Sequence, residues 1–277
     1  MKGRRPLADV MRTEASPLAA AIAAQDGQTI TMVRAALEAG RLRLAYQPVV
    51  IGSDPSRVGF YEGLIRVLDE TGRAIPARDF MDAIETQELG RLIDCASLDM
   101  GLAALRDQPW LRLAINMSAR SVGYPRWMRI LKRGLSADPR IGERLILEIT
   151  EGSAMLVPEL VVAFMAEMQS AGVTFALDDF GAGHTSFRYL RQFFFDIVKI
   201  DGQFVRGVAH DPDNQVLTLA LMSVGKHFDM MVVAESVETV EDANFLQANG
   251  IGCMQGYLFG APTVRPAWME DRARKRA

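Results

Sequence analysis

The sequence predicts an α/β fold, a (β/α)8 barrel of the TIM type, on three observations. Short apolar runs alternate with longer amphipathic stretches along nearly the whole chain. Eight such runs can be counted, which suits a closed barrel better than an open doubly wound sheet. The chain has 277 residues, and barrels of this kind commonly run to about 250 residues as one domain.

Residues 1–28 stand apart, with a basic start, Pro6 and Pro17, an alanine-rich run and an expected break at Asp26-Gly27. They read as an N-terminal linker or lead-in helix. From Thr31 onward Met32, Val33, Ala36 and Leu37 recur at helical spacing, and Gly40 supplies a stop. Leu42-Arg43-Leu44-Ala45-Tyr46 alternates as a strand that Pro48 closes. Further strands are expected at 59–64, 111–117, 145–150, 174–177, 197–200, 231–234 and 252–255. Helices are expected at 77–106, 125–135, 158–171, 186–193, 214–228 and 240–249, with Gly172 and Gly250 as C-terminal caps. The barrel domain would span 29–266 and leave 267–277 as a basic tail.

Lys and Arg number 31 against 34 Asp and Glu, for a net charge of −3, which argues against a general nucleic-acid binder. Cys95 and Cys253 are far apart and outside any metal-ligand spacing. His184, His210 and His227 form no close pair, so zinc is not expected. No run approaches the roughly 20 apolar residues of a membrane span, and the chain reads as cytoplasmic.

Function is suggested by the residues at the ends of the apolar runs. Glu62, Asn116, Glu148, Asp178-Asp179 and Glu235 each close one, and Lys199 comes after Ile197-Val198 in the same way. In a (β/α)8 barrel such positions converge on one mouth. All but the lysine are oxygen donors, which suits Mg²⁺ or Mn²⁺. Five carboxylates cannot share a small site without raised pKa values or counter-cations, and two divalent ions plus Lys199 would nearly neutralise them. Any one of these residues alone could cap a helix. Capping does not account for acids and amides closing five separate runs. The pattern points to a metal-dependent hydrolase.

These residues also fall in motifs that resemble the EAL-domain cyclic-di-GMP phosphodiesterases. The motifs are Tyr46-Gln47-Pro48, Tyr61-Glu62-Gly63-Leu64-Ile65-Arg66, Asn116-Met117-Ser118, Leu147-Glu148-Ile149-Thr150-Glu151, Asp178-Asp179-Phe180-Gly181-Ala182-Gly183, Lys199-Ile200-Asp201, Ala234-Glu235-Ser236-Val237-Glu238 and Gln255-Gly256-Tyr257. The resemblance runs from about 31 to about 264 and implies hydrolysis of cyclic-di-GMP to linear pGpG. It implies one metal held by Glu62, Asn116, Glu148 and Asp178, and a second by Asp178, Asp179 and Glu235. Lys199, Glu62 and Glu235 would be catalytic, with Lys199 orienting the attacking water and compensating charge rather than acting as a base. Arg66 would grip a phosphate, and Leu64, Asp201, Glu238 and Gln255 would line the dinucleotide pocket. Gln47 would either face the mouth or serve packing. Glu151 would anchor the loop 179–186, and the helix at 186–193 would lie where family members dimerise.

Phe193-Phe194-Phe195 would either extend that dimer contact or form a buried turn, the second being the safer reading. Gly63 stands where the signature has alanine, Val67 where an aromatic is usual and Ser236 where glycine is common, while His184 sits in the loop. Expected partners are cyclic-di-GMP, a second copy of the chain and an upstream sensory or cyclase module. The alternative function is a catalytically weak cyclic-di-GMP receptor that acts through a protein partner.

Overall fold

Nine strands form one sheet that closes on itself in the computed structural model, which describes residues 16–183 and 190–269. The strands are β1 (Leu42–Ile51), β2 (Asp54–Leu68), β3 (Ala74–Pro76), β4 (Leu113–Asn116), β5 (Leu145–Thr150), β6 (Thr174–Phe180), β7 (Ile197–Ile200), β8 (Met231–Ala234) and β9 (Cys253–Gln255). Their order is β1-β9-β8-β7-β6-β5-β4-β2, and β1–β2 pairing closes an eight-stranded barrel, with β3 added outside on β2. The barrel is covered by α1 (Pro17–Glu38), α2 (Glu88–Asp107), α3 (Pro125–Ala137), α4 (Pro158–Gln169), α5 (Pro212–His227) and α6 (Val240–Ala248).

One strand of the barrel departs from the parallel expectation. β1 runs antiparallel to both β2 and β9. Only Gly52 and Ser53 separate it from β2, and a parallel neighbour would need a crossover of a dozen or more residues. A side chain on Gly52 would collide with the Ile251 carbonyl, so the hairpin tip needs glycine there.

Helix starts reflect local chemistry. Pro125, Pro158 and Pro212 occupy first turns, where a missing N–H costs nothing. Asp211 accepts from the Asp213 and Asn214 amides, and Thr239 from Asp242. The expected break at Asp26-Gly27 is absent: α1 is continuous, and Thr31 Oγ1 donates to Gly27 O at 2.8 Å. A helical glycine costs only about 1 kcal/mol, and flanking alanines offset it. The expected helix at 77–106 is divided, with short helical turns at Ala77–Asp79 and Met81–Ile84 before α2 begins at Glu88. Of the expected helix at 186–193, residues 186–189 lie outside the described residues, as does His184; 191–193 form a turn and coil. Phe193 and Phe195 are buried and Phe194 is exposed.

Inside the barrel each strand contributes one residue to a closed apolar layer: Val49, Phe60, Ala114, Ile146, Ala176, Ile197, Val233 and Cys253. Alternation along a strand returns the next side chain but one to the same face. Two residues on toward the mouth are therefore Gln47, Glu62, Asn116, Glu148, Asp178, Lys199, Glu235 and Gln255. β1 runs the other way, so its step goes down in number. The polar site lies one layer above an apolar floor.

Gly63 belongs to the opposite, outward face. A methyl there would lie 2.8 Å from Ile115 Cδ1, and the same Ile115 atom would lie 2.7 Å from a methyl on Gly101. Ile115 thus fills the space that the signature alanine would use. Gly63→Ala is expected to cost about 1–3 kcal/mol through overpacking, and Ile115→Val in the same chain to recover most of it. Urea unfolding midpoints measure both. Additive losses in the double variant would refute the packing account.

Candidate active site

Lys199 is the centre of the mouth. Its side chain is 1% exposed, and its ammonium lies 2.6 Å from Glu235, 3.1 Å from Glu148, 3.1 Å from Asp178 and 3.3 Å from Glu62. Glu62 also accepts from Gln255 Nε2 at 2.6 Å and from Asn116 Nδ2 at 2.7 Å. Gln255 Nε2 donates to Gln47 Oε1 at 3.1 Å, and Gln47 Nε2 to the Gly260 carbonyl at 3.1 Å. Gln47 therefore belongs to the polar layer and also ties it to the C-terminal segment.

Asp179 comes directly after Asp178, and regular alternation would turn it away from the mouth. Its φ is +56°, a left-handed conformation that breaks the alternation. Carboxylate oxygens of Asp178, Asp179 and Glu235 lie within 4.8 Å of one another as a result. Sequence pattern alone could place the pair at a strand end but not the turn that aims both acids.

Each charge state results from burial set against neighbours. Burial alone would lower Lys199, but Asp178, Glu148, Glu235 and Glu62 hold its pKa well above the usual lysine value. Burial, then the Glu62, Asp178 and Glu235 charges, push Glu148 well up against the pull of Lys199. Glu235 is raised to about 8, chiefly by burial, and Asp179 to about 6 by burial and then by Asp178 and Asp201. Glu62 goes the other way: burial raises it, but Lys199 and the amide donors of Gln255 and Asn116 outweigh that.

The donor set fits hard divalent cations. It is all oxygen, it carries five carboxylates against one ammonium, and Glu148 Oε1 is buried without a hydrogen-bond partner. Glu62, Asn116, Glu148, Asp178, Asp179 and Glu235 are the residues that could hold them.

Above the polar layer opens a cavity of about 350 Å³ lined in part by Leu64, Arg66 and Glu238. Asp201 does not line it. Its carboxylate accepts from the Gln203 amide at 2.7 Å and caps the short turn Gly202–Val205, and it reaches the site only through its effect on Asp179. Glu151 is buried, and its Oε2 accepts from the Gly181 amide at 3.4 Å; the rest of the loop 179–186 lies partly outside the described residues. Sequence reasoning gave no role to Arg206 or Tyr257, which also line the cavity, and missed a supporting network on α2. There buried Asp94 accepts from Ser118 N at 3.0 Å and Ser121 Oγ at 2.6 Å, while Ser153 Oγ accepts from Ala119 N at 2.8 Å. These bonds fix the chain just past Asn116. No spacing in the sequence signals them.

The EAL-domain profile matches residues 30–262. The chain belongs to the EAL-domain family. It is 32% identical over 251 residues to the cyclic di-GMP phosphodiesterase PdeR of Escherichia coli, covering 89% of this chain and 37% of that protein. It is 28% identical over 242 residues to the bifunctional diguanylate cyclase/cyclic di-GMP phosphodiesterase MucR of Pseudomonas aeruginosa, covering 85% and 35%. The chain thus spans little more than a third of either relative. The solved structure of the MucR phosphodiesterase in complex with c-di-GMP superposes with a TM-score of 0.74 at 28% identity, over 88% of this chain and 99% of that one. The FimX EAL domain of P. aeruginosa bound to c-di-GMP, at 24% identity, TM-score 0.77 and coverage of 86% and 97%, shares the fold. No helix among the described residues is long and apolar enough to cross a membrane.

The raised carboxyl groups set a pH dependence for the metal-free protein. Glu235 and Asp179 bind protons more tightly folded than unfolded, so stability falls as pH rises from about 5 through about 8. The melting temperature without metal is expected to drop across that window, and Glu235→Gln to flatten the drop. A profile that rises from pH 6 to 8 would contradict the charge assignment.

Proposed function

We propose that this protein is a divalent-metal-dependent phosphodiesterase that opens cyclic-di-GMP to linear pGpG. The observation that carries the reading is the polar layer, in which Lys199 is held among four carboxylates beside Asn116 and Asp179. That PdeR and MucR are named as cyclic di-GMP phosphodiesterases supports the substrate.

In this reading Glu62, Asn116, Glu148 and Asp178 hold one Mg²⁺ or Mn²⁺, and Asp178, Asp179 and Glu235 a second. The ions, when bound, supply an acidified water and positive charge toward the phosphoryl oxygens. The chain's own residues do the rest. Lys199, kept charged by its neighbours, donates toward the reacting centre and orients the water; it has no free pair with which to take a proton. Glu62 and Glu235 flank that ammonium and fix its direction. Arg66, a planar fork on the cavity wall, suits a phosphate oxygen pair. Gln47 and Gln255 hold Glu62 in place, and Leu64 and Glu238 shape the nucleotide cavity.

Pairing with a second copy belongs to the same proposal. Val216, Leu217 and Leu219 on α5 are exposed, as are Leu156 and Leu160 near the start of α4, and such apolar surface favours a partner. An upstream sensory or cyclase module fits the short share of its relatives that the chain spans.

Purified protein is expected to form pGpG from cyclic-di-GMP with Mg²⁺ or Mn²⁺, and Glu62→Ala to lose that activity. Binding without product in the unaltered protein would make it a receptor and overturn the enzymatic reading. Lys199→Ala is expected to lower turnover roughly 100-fold, the scale of removing one preorganised donor, with dinucleotide affinity changed only a few-fold. Equal losses of rate and affinity would contradict the role given to Lys199.

A further inference from the structure

We propose that Arg206, aimed by Ser236, reads the edge of a guanine at the rim of the cavity and sets the base specificity of the site. The inference rests on the cavity being a cyclic-di-GMP site. Arg206 lies past the end of β7, beyond the turn Gly202–Val205, and no motif of the chain marks it.

The first observation is the backbone of Ser236, whose φ is +55°. That conformation is unfavourable for any residue with a Cβ and natural for glycine. Unusual backbone of this kind gathers at functional sites, where the surrounding structure enforces it. Here it places Ser236 Oγ to accept from Arg206 Nη2 at 3.1 Å. Gly202 makes room, since any side chain at that position would collide with Ser236 Oγ and come within 3.2 Å of Arg206 Nη2. A serine at 236 and a glycine at 202 thus act together to fix one guanidinium.

The second observation is the surroundings of that guanidinium. Arg206 Nε lies 3.8 Å from Glu238 Oε1, with side chains 59% and 48% exposed. An exposed pair of this length adds little to stability, so folding does not require it. It does set donors beside an acceptor on the cavity wall. Guanine presents O6 and N7 as acceptors and N1–H and N2–H as donors. Arginine on O6/N7 is the commonest specific contact to that base, and Glu238 suits the donor edge. Tyr257, 59% exposed on the same wall, offers a ring face for the base to stack on. A phosphate would be served less well, because the carboxylate beside Arg206 repels it.

Binding is measured by calorimetry with Ca²⁺, a larger and more loosely coordinated cation, in place of Mg²⁺ or Mn²⁺, so that the acidic layer stays neutralised while turnover is slowed. The ligands are cyclic-di-GMP and its analogue carrying 7-deazaguanine in place of both guanines. The unaltered protein is expected to bind the analogue roughly ten-fold more weakly, the scale of one specific base contact. Arg206→Met is expected to bind cyclic-di-GMP about ten-fold more weakly and to distinguish the two ligands little or not at all. Ser236→Gly is expected to lower the discrimination part-way while its melting temperature holds or rises, because glycine suits φ +55°. Discrimination in Arg206→Met equal to that of the unaltered protein would overturn the inference and leave the phosphodiesterase reading standing. Failure of the unaltered protein to bind cyclic-di-GMP at all would overturn both.

Discussion

One buried ammonium organises this molecule. Lys199 contacts carboxylates from β2, β5, β6 and the end of β8, strands spread over most of the barrel's circumference. Removing such a charge from water is unfavourable by several kcal/mol, and only this ring of acids compensates for it. Burial first, and then repulsion among the acids, makes Glu148 and Glu235 hold protons more tightly than free carboxylates. Neither the lysine nor the acids would be tolerated alone. A single positive charge against five carboxylates still leaves the site strongly negative, and that residual charge is what the proposed ions answer.

The layer can exist because the barrel interior below it is dry and closed. Eight strands each give one apolar side chain to the floor and one polar side chain to the layer above. Strict alternation does most of the placing, and the exceptions mark where more is needed. Asp179 leaves the alternation through a left-handed φ and so joins Asp178 at one edge. Ser236 leaves it just after β8, at the rim, and there fixes Arg206. These two left-handed residues each stand immediately beside an acid of the layer, whereas the third non-glycine case among the described residues, Asp229, lies in the turn before β8.

Much of this was legible in the sequence. Glu62, Asn116, Glu148, Asp178, Lys199 and Glu235 each end an apolar run, and parallel barrel strands bring run ends together whatever the helices do. Gln47 and Gln255 were visible only through motif resemblance, because β1 runs backward and β9 is three residues long. The antiparallel β1 was hidden because the expected strands stopped at Pro48 and resumed at 59, whereas β1 runs through Pro48 to Ile51 and β2 begins at Asp54, leaving a two-residue hairpin tip. Gly63 read only as a departure from the signature alanine, and nothing in the sequence signalled that Ile115 occupies the space. Asp201 looked like a ligand contact and is a helix-turn cap. Arg206 and the Asp94–Ser118–Ser121 support carry no local pattern at all, since they act through contacts between residues 24 to 30 positions apart.

In the proposed function the charge of the layer is balanced by one lysine and two divalent ions. Equilibrium dialysis against Mn²⁺ counts those ions directly. Two per chain are expected for the unaltered protein, and about one for Glu235→Gln, which removes a charge from the Asp178, Asp179 and Glu235 group. No specific uptake of Mn²⁺, or a count that Glu235→Gln leaves unchanged, would contradict it.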